Sequence, residues 1–371
     1  MDRTDKTGVY IHIPFCRSKC PYCDFYSLPG KSCSDDYAAA LCDEIRSFRG
    51  VGEFVKERKI PVDTVYFGGG TPSLLTPLQL ERILEAVRES FIVSPDSEIT
   101  VECNPSSPSL DMFLKHAAEL GVNRISLGMQ SSDNAERRLL GRKGSSENIK
   151  AAVECAKNAG IENISLDVMV GVPESNTRTL KSTLDFALSL GVPHISAYML
   201  KIEEGTYYYR NQDKLSLPTE DETADMYLFM SHYLTENGFL HYEISNFCKD
   251  GLYSRHNMKY WEGTPYIGFG PSAHSFYDGR RFYFPDDISS FINDRKAFSD
   301  GTGGDSEEML MLMLRTYKGI SLQDKTEKFK KIIDMYVSHG LGREANGRFF
   351  LTPEGMLISN SIIIQLINAL D

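Results

Sequence analysis

Six short apolar runs alternate with longer amphipathic stretches along the first 200 residues. The runs are rich in β-branched and aromatic residues, as strands usually are, and they lie at 9–13, 63–67, 98–102, 124–128, 164–170 and 194–200. The stretches between them predict helices, at DYAAALCDEIRSF, PLQLERILEAVRES, PSLDMFLKHAAEL, SENIKAAVECAKNAG and TLKSTLDFALSLG. Strands and helices that alternate in this way predict a parallel sheet with crossover helices.

Three of these helices end in a glycine followed by an apolar residue, in ELGVNRI, NAGIENI and SLGVPHI. A glycine at this position stops a helix, so each signal places a helix end just before a strand. The buried, β-branched strands fit either a barrel or an open doubly wound sheet.

Unusual residues follow the predicted strands at their ends. They are three clustered cysteines, a triple glycine at 68–70, Glu102, Gln130 and Asp167. In an α/β barrel the C-terminal ends of the strands form the face on which sites are built. We therefore expect one site that is assembled from several strand ends.

The alternation stops near residue 205. A helix is predicted at 221–238, followed by an aromatic-rich region, and GTGGDS at 301–306 predicts a flexible linker. A helix at 322–338, a Gly/Asn turn and a last helix from 353 follow, in an order that resembles a small winged-helix unit. We expect three parts: a barrel at 1–205, a barrel extension at 206–300, and a winged-helix-like domain at 301–371.

Charge and hydropathy narrow the class of protein. The net charge of −11 over 371 residues disfavours nucleic acid as a partner. The N-terminus MDRTDKT is polar, unlike a signal peptide, and no run reaches the ~20 apolar residues of a membrane helix. We therefore expect a cytoplasmic protein whose eight cysteines are thiols or metal ligands rather than disulfides.

Cys16, Cys20 and Cys23 have the spacing C-x3-C-x2-C, which lets three thiolates converge on one metal site. A structural zinc ion usually has four protein ligands, and Cys33 could be the fourth. A [4Fe–4S] cluster with three cysteine ligands would instead leave one iron open for an added chelate. The spacing by itself leaves both alternatives open.

The aromatic Tyr22 directly precedes the third cysteine, and C-x3-C-x-aromatic-C resembles the radical S-adenosylmethionine (SAM) superfamily. The resemblance implies a partial (β/α)6 TIM-like barrel with a small C-terminal helical domain. It also implies a [4Fe–4S] cluster on the three cysteines, with SAM chelated to the open iron. An electron from the cluster then cleaves SAM to give a 5′-deoxyadenosyl radical.

The strand-end residues have the chemistry that SAM requires. The glycines expose backbone N–H groups, although a simple strand-to-helix turn would explain one of them. Glu102 could accept hydrogen bonds from an ammonium or ribose group, or could be a solvated strand end. Asp167 lies in an apolar strand, where a carboxylate is costly unless it is paired or bound to a ligand.

Further motifs resemble the oxygen-independent coproporphyrinogen III oxidase branch of this superfamily. They are VYIHIPFC, YFGGGTPS, ISLGMQS, LLGR and YEISNF, and the resemblance runs from about residue 8 to the C-terminal end. It implies that the cofactor contacts are Tyr10, Tyr22, Phe25, Gly69, Gly70, Thr71, Glu102, Gln130, Arg142 and Asp167.

Two branches share this pattern. The oxidase continues its motif to C-x3-C-x2-C-x-C, whereas this chain has Phe25 in the last place. HNMKYW, from His256 to Trp261, instead resembles the mark of a heme-chaperone branch. That branch implies a heme carrier for respiratory proteins, and a flavodoxin or ferredoxin is expected as electron donor. The alternative is an oxidase that acts on two propionates of coproporphyrinogen III.

Within HNMKYW, a neutral His256 could ligate heme iron. Tyr260 and Trp261 offer apolar surface for the porphyrin, and Arg255 or Lys259 could meet a propionate. The local alternative is a loop histidine satisfied within an aromatic core. His274, in GFGPSAHSF, is expected in a second loop.

Overall fold

The computed structural model describes residues 6–48 and 59–370. The first five residues lie outside this part, and so does most of the MDRTDKT stretch on which the signal-peptide expectation rests. The strands of the first 200 residues are β1 (Thr7–Ile13), β2 (Phe15–Cys16), β3 (Leu28–Pro29), β4 (Pro61–Gly69), β5 (Ile92–Cys103), β6 (Arg124–Gln130), β7 (Asn163–Val170) and β8 (His194–Met199).

Six of these strands, β1 and β4 to β8, lie side by side in parallel and in chain order. They correspond to the six strands predicted from the sequence; β5 begins six residues earlier than predicted, and the other strand ends differ by at most two residues. The sheet is extended by β9 (Leu240–Glu243), β10 (Asn246–Cys248), β11 (Tyr266–Phe269), β12 (His274–Tyr277), β13 (Arg280–Tyr283) and β14 (Phe298–Thr302). Its order is β14-β13-β12-β11-β1-β4-β5-β6-β7-β8-β10-β9, an open partial barrel as expected.

The helices of the barrel and its extension are α1 (Asp35–Ser47), α2 (Pro77–Ser90), α3 (Leu110–Glu119), α4 (Asn134–Leu139), α5 (Ser146–Asn158), α6 (Thr177–Ser189), α7 (Tyr207–Arg210), α8 (Glu220–Glu236), α9 (Arg255–Trp261) and α10 (Ile288–Asn293). The glycine stop signals act as predicted. Gly121, after α3, has a φ of 91°, a left-handed conformation that favours glycine.

The parallel strands are polar on one face and apolar on the other. On β6, Ile125, Leu127 and Met129 are fully buried in the core under the helices. Arg124 and Ser126 alternate with them and line the barrel interior. This differs from the usual α/β barrel, whose interior is filled mainly by bulky branched side chains.

Helix α9 closes the N-terminal end of the barrel. The backbone N–H groups of Arg255 and His256 donate to the Glu98 carboxylate at 3.0 and 3.1 Å, where an anion is favoured by the start of a helix. Lys259 Nζ lies 2.7 Å from Asp63. HNMKYW is therefore the closing helix of the barrel, so the local alternative, in which His256 lies in a loop, is wrong about the loop.

The C-terminal part contains α11 (Ser306–Met313), β15 (Ile320–Ser321), α12 (Glu327–Ser338), β16 (Gly342–Ala345), β17 (Arg348–Leu351), α13 (Pro353–Leu357) and α14 (Ser359–Ile367). Three predictions need correction here. The expected linker begins inside β14, the helix predicted from 322 begins at Glu327 because Thr326 caps it, and the last helix is divided in two. His274 likewise begins a strand, β12, instead of lying in a loop.

Within the described residues, none of the helices has the length and apolar character required to cross a bilayer.

Candidate functional site

A cavity of about 570 Å³ opens at the carboxyl ends of the parallel strands and extends down the barrel to α9. All the predicted site residues line it, apart from Tyr10 and His256. The lining residues among them are Cys16, Cys20, Tyr22, Cys23, Phe25, Gly69, Gly70, Thr71, Glu102, Gln130, Arg142 and Asp167. The structure therefore brings one predicted site together from the cysteine loop, the ends of β4, β5 and β6, Asp167 within β7, and Arg142 after α4. Tyr10 and His256 lie elsewhere in the barrel.

The cysteine loop is held by its own backbone. Strand β2 pairs in parallel with β3, so the chain segments before and after the cysteines are fastened together. Gly30 N donates to Cys16 O at 2.8 Å, and Cys23 N donates to Cys20 O at 3.2 Å. The three thiols are partly exposed and free of disulfides, so the loop presents them to the cavity.

The donor set fits a cluster with three thiolate ligands. Burial raises the pKa of the Cys23 thiol, and the neighbouring Cys20 and Cys16 raise it further, so the thiols influence one another. Cys33, which would complete a four-cysteine zinc site, is buried outside the cavity lining. In the described part of the chain, no three His, Cys, Asp or Glu side chains are grouped so that they could hold a metal ion. A cubane cluster spreads its ligands over separate irons.

Two glycines of the triple glycine are required for different reasons. Gly69 has a φ of 109°, and a Cβ there would lie 2.6 Å from the His12 ring. A Cβ on Gly70 would lie 2.7 Å from the carbonyl oxygen of Phe15, and Gly70 N donates to Ile13 O at 2.8 Å. The glycine segment thus packs directly against the start of the cysteine loop.

Two carboxylates face the cavity from neighbouring parts of the sheet. Glu102 accepts from the Tyr66 hydroxyl at 2.8 Å and from Gly69 N at 3.2 Å, and burial raises its pKa to about 7. Asp167 accepts from Ser126 Oγ at 2.8 Å, and burial raises its pKa to about 6. The charge on Asp167 adds to the rise at Glu102. A cationic ligand would stabilise the ionised form of both.

Arg142 and Gln130 border the cavity near the cysteine loop. Arg142 donates to the Tyr22 hydroxyl from Nε at 3.2 Å and from Nη2 at 2.7 Å. Gln130 ends β6 with a φ of 69°, a strained conformation for this residue type that is frequent at ligand sites. Thr71 contacts the cysteine loop, with Oγ1 3.5 Å from the Cys16 sulfur.

His256 is fully buried below the cavity. Its Nδ1 lies 2.8 Å from Thr64 Oγ1 and its Nε2 lies 2.9 Å from the Tyr260 hydroxyl. Burial lowers its pKa to about 3, with the charges of Lys259 and Arg124 adding to the effect. The imidazole is therefore neutral, as a heme ligand must be, but both nitrogens have partners.

Tyr10 belongs to the same aromatic stack as His256. Its ring lies 6.2 Å from Tyr66 and 6.3 Å from His256, and its hydroxyl lies 3.1 Å from His12 Nδ1. Among the other HNMKYW residues, Trp261 packs on a separate cluster that includes Tyr242 and Met258. Asn257 alone of the motif lines the cavity.

Sequence reasoning missed several cavity residues. Some lie on the strands, namely Tyr66, Arg124, Ser126, Ser196 and Tyr198, and others are cations near the rim, namely Arg17, Lys19, Lys143 and Lys201. The signal for the first group was present, because polar and apolar residues alternate strictly in TVYF, RISLG and HISAY. The rim cations have no such signal.

Comparison with known proteins gives one family and a set of close relatives. Residues 10–187 match the family described as the radical SAM superfamily. The chain is 36% identical to the heme chaperone HemW of Synechocystis, over 98% of this chain and 97% of that protein. It is 33% identical to heme chaperone HemW of Bacillus subtilis, over 96% of this chain and 97% of that protein.

A solved structure with a similar fold is the coproporphyrinogen III oxidase HemN of Escherichia coli, described as a radical SAM enzyme. The TM-score is 0.79 over 98% of this chain and 90% of that chain, at 20% sequence identity. At this identity the similarity concerns the fold.

Proposed function

The chain belongs to the HemW heme-chaperone family, a branch of the radical SAM superfamily, and we propose that it binds heme and transfers it to respiratory heme proteins. The observation that carries this proposal is the similarity to heme chaperones along nearly the whole chain. Phe25 supports it, because it stands where the resembling oxidases have a further cysteine. Its side chain is 65% exposed at the cavity, available for contact with a ligand.

In this proposal Cys16, Cys20 and Cys23 hold a [4Fe–4S] cluster, and SAM occupies the adjoining cavity. When bound, the cluster supplies one electron for the reductive cleavage of SAM. Gly69 and Gly70 line the cavity and let the backbone pack against the start of the cysteine loop, beside the position proposed for SAM. Further contacts would come from Tyr22, Thr71, Gln130 and Arg142.

Glu102 and Asp167 would face the positive groups of SAM. Both carboxyl groups have raised pKa values in the free protein, so a bound cation favours loss of their protons. Tyr10 lies beneath this part of the cavity and would act through its neighbour Tyr66. A flavodoxin or ferredoxin in the cytoplasm would supply the electron.

The cavity mouth supports porphyrin binding by its chemistry. Phe25, Tyr198 and Met199 line it and are 65%, 43% and 40% exposed. Large apolar side chains are seldom left exposed together unless they meet a partner. A porphyrin has a flat apolar face that matches such a surface.

His256 is our proposed iron ligand. Because it is buried and hydrogen-bonded, a nitrogen of its ring must be freed before it can bind iron. The Nε2 atom must first release the Tyr260 hydroxyl, which lies 2.9 Å away. If His256 is the ligand, Tyr260→Phe frees Nε2 and strengthens heme binding by about 2- to 10-fold, the worth of one hydrogen bond. Tyr266→Phe is the matched control, because its ring packs on Tyr260 while its hydroxyl accepts from Arg281.

The test is a heme titration of anaerobically reconstituted protein, followed by transfer to the apo form of a respiratory heme protein. Wild type should retain heme and release it to the acceptor. His256→Ala should weaken retention, and unchanged retention would remove His256 from the site. Failure of wild type to bind or transfer heme would refute the carrier proposal.

The second candidate function, coproporphyrinogen III oxidation, is favoured by the fold it shares with HemN. Incubation of the reduced protein with SAM and coproporphyrinogen III separates the two functions. A carrier should leave the porphyrinogen unchanged, whereas formation of protoporphyrinogen would establish the oxidase.

A further inference from the structure

Arg124 is a buried cation without a partner in the barrel interior. It is 1% exposed and lines the cavity from the first position of β6. Within residues 6–48 and 59–370, no hydrogen bond or ion pair involves its guanidinium, and Nε is completely enclosed. Because an unpaired charge is costly to bury, such a group calls for an anion.

Arg137 is a second buried arginine, and its hydrogen bonds differ from those of Arg124. It is equally buried, at 1% exposure, but its guanidinium donates to the carbonyl oxygens of Met129 and Ser131. Arg124 has no such bonds. The difference indicates that the Arg124 guanidinium is available to a ligand that enters the cavity.

A buried hydroxyl lies beside Arg124 in the sheet, and the nearby carboxylates do not form hydrogen bonds with its guanidinium. Thr100 is its register partner on β5, and the Thr100 hydroxyl is also fully buried without a partner. Glu102 and Asp167 are near enough for the charge of Arg124 to lower their pKa values. Neither carboxylate is hydrogen-bonded to the guanidinium, however: Glu102 accepts from Tyr66 and Gly69, and Asp167 Oδ1 accepts from Ser126.

We propose that Arg124 forms an anion subsite deep in the cavity that binds a propionate carboxylate of heme. This inference rests on the proposed function. A guanidinium is suited to a carboxylate because it can donate two parallel hydrogen bonds. The other cations considered for a propionate, Arg255 and Lys259, are already paired with Asp63 at 3.3 and 2.7 Å.

The same carboxylate chemistry has a second source in the methionyl group of SAM. Two probes separate the sources: heme against its dimethyl ester, in which both propionates are neutral, and SAM itself. The variants are Arg124→Met, which keeps the length of the side chain, and Lys150→Met. Lys150 is exposed on α5 outside the cavity lining, so its replacement changes the net charge equally.

For wild type and Lys150→Met we expect heme to bind about 10- to 100-fold more tightly than the ester, the worth of a charge-assisted hydrogen-bonded pair. For Arg124→Met the preference for heme over the ester should disappear, and Arg124→Lys should restore part of it. Measured well above the pKa values of Glu102 and Asp167, where both are ionised with or without Arg124, the affinity for SAM should not fall in any variant.

Three results would overturn the inference while heme binding by wild type still stands. One is equal binding of heme and ester by wild type, which decides the question even if Arg124→Met does not fold. Another is an undiminished preference for heme in a folded Arg124→Met. The third is a loss of SAM affinity in Arg124→Met with heme binding unchanged, which would assign the subsite to SAM. No heme binding by wild type would instead refute the proposed function.

Discussion

Replacement of Glu102 by Gln should remove most of the pH dependence of SAM binding. The Glu102 carboxyl group has its pKa raised from 4.5 to about 7, chiefly by burial, and a cationic ligand binds the ionised form better. Gln keeps the shape and can still accept from the Tyr66 hydroxyl, but it carries no titratable charge.

The magnitude follows from the ionised fraction. With a pKa of about 7, Glu102 is about one-tenth ionised at about pH 6 and about nine-tenths ionised at about pH 8. If SAM requires the carboxylate, its affinity should rise about tenfold between these pH values. Asp167, with a pKa of about 6, should add a further factor of about two.

The assay is isothermal titration calorimetry of the anaerobic cluster-loaded protein with SAM, in buffers of different ionisation enthalpy. Binding near pH 6 should release protons from wild type and fewer protons from Glu102→Gln. The α-amino group of SAM also titrates near pH 8, and its contribution cancels when the two proteins are compared. A flat profile for wild type, or the same profile for Glu102→Gln, would refute the reasoning.

Three further predictions concern the cluster loop and the barrel floor. Cys23→Ser should abolish the visible absorption of the reconstituted cluster, while Cys33→Ser should keep it, because Cys33 lies outside the cavity lining. Loss of the metal from both variants would instead support a four-cysteine site that includes Cys33. Gly70→Ala should lower the melting temperature and the iron content together, since a Cβ there would lie 2.7 Å from the Phe15 carbonyl oxygen. An intact iron content would show that the loop adapts. His256→Ala should lower the free energy of unfolding by about 3–5 kcal/mol, because it opens a cavity and leaves Thr64 and Tyr260 without a partner. Urea unfolding measures this change, and a loss below about 1 kcal/mol would contradict the buried geometry.

The barrel was predictable because two independent patterns agree along the first 200 residues. Apolar runs mark strands, and glycines such as Gly121 mark the ends of the helices before them. The strand-end residues were predictable for the same reason, since parallel strands carry their carboxyl ends to one edge. Chain order alone therefore gathered the cysteines, Glu102 and Asp167 into one cavity.

The floor of the barrel was not predictable in the same way. Nothing in the sequence indicated that His256 belongs to a helix at the base of the barrel, because the N–H groups that start α9 bond to Glu98, more than 150 residues earlier in the chain. No local pattern contains that contact. Arg124 was missed although RISLG alternates polar and apolar residues, because a buried strand of a parallel sheet is expected to be apolar on both faces.

The position of β1 has a consequence for how the protein is made. Strand β1 lies between β4 and β11, and α9 closes the barrel beneath it. The cysteine loop therefore leaves the ribosome long before residues 255–269, which form the helix and the strand that pack against β1. Until those residues emerge, one edge of β1 has no paired strand, and the N-terminal end of the barrel is open. The barrel, and with it the base of the cavity, can therefore close only on a chain that has been synthesised beyond residue 269.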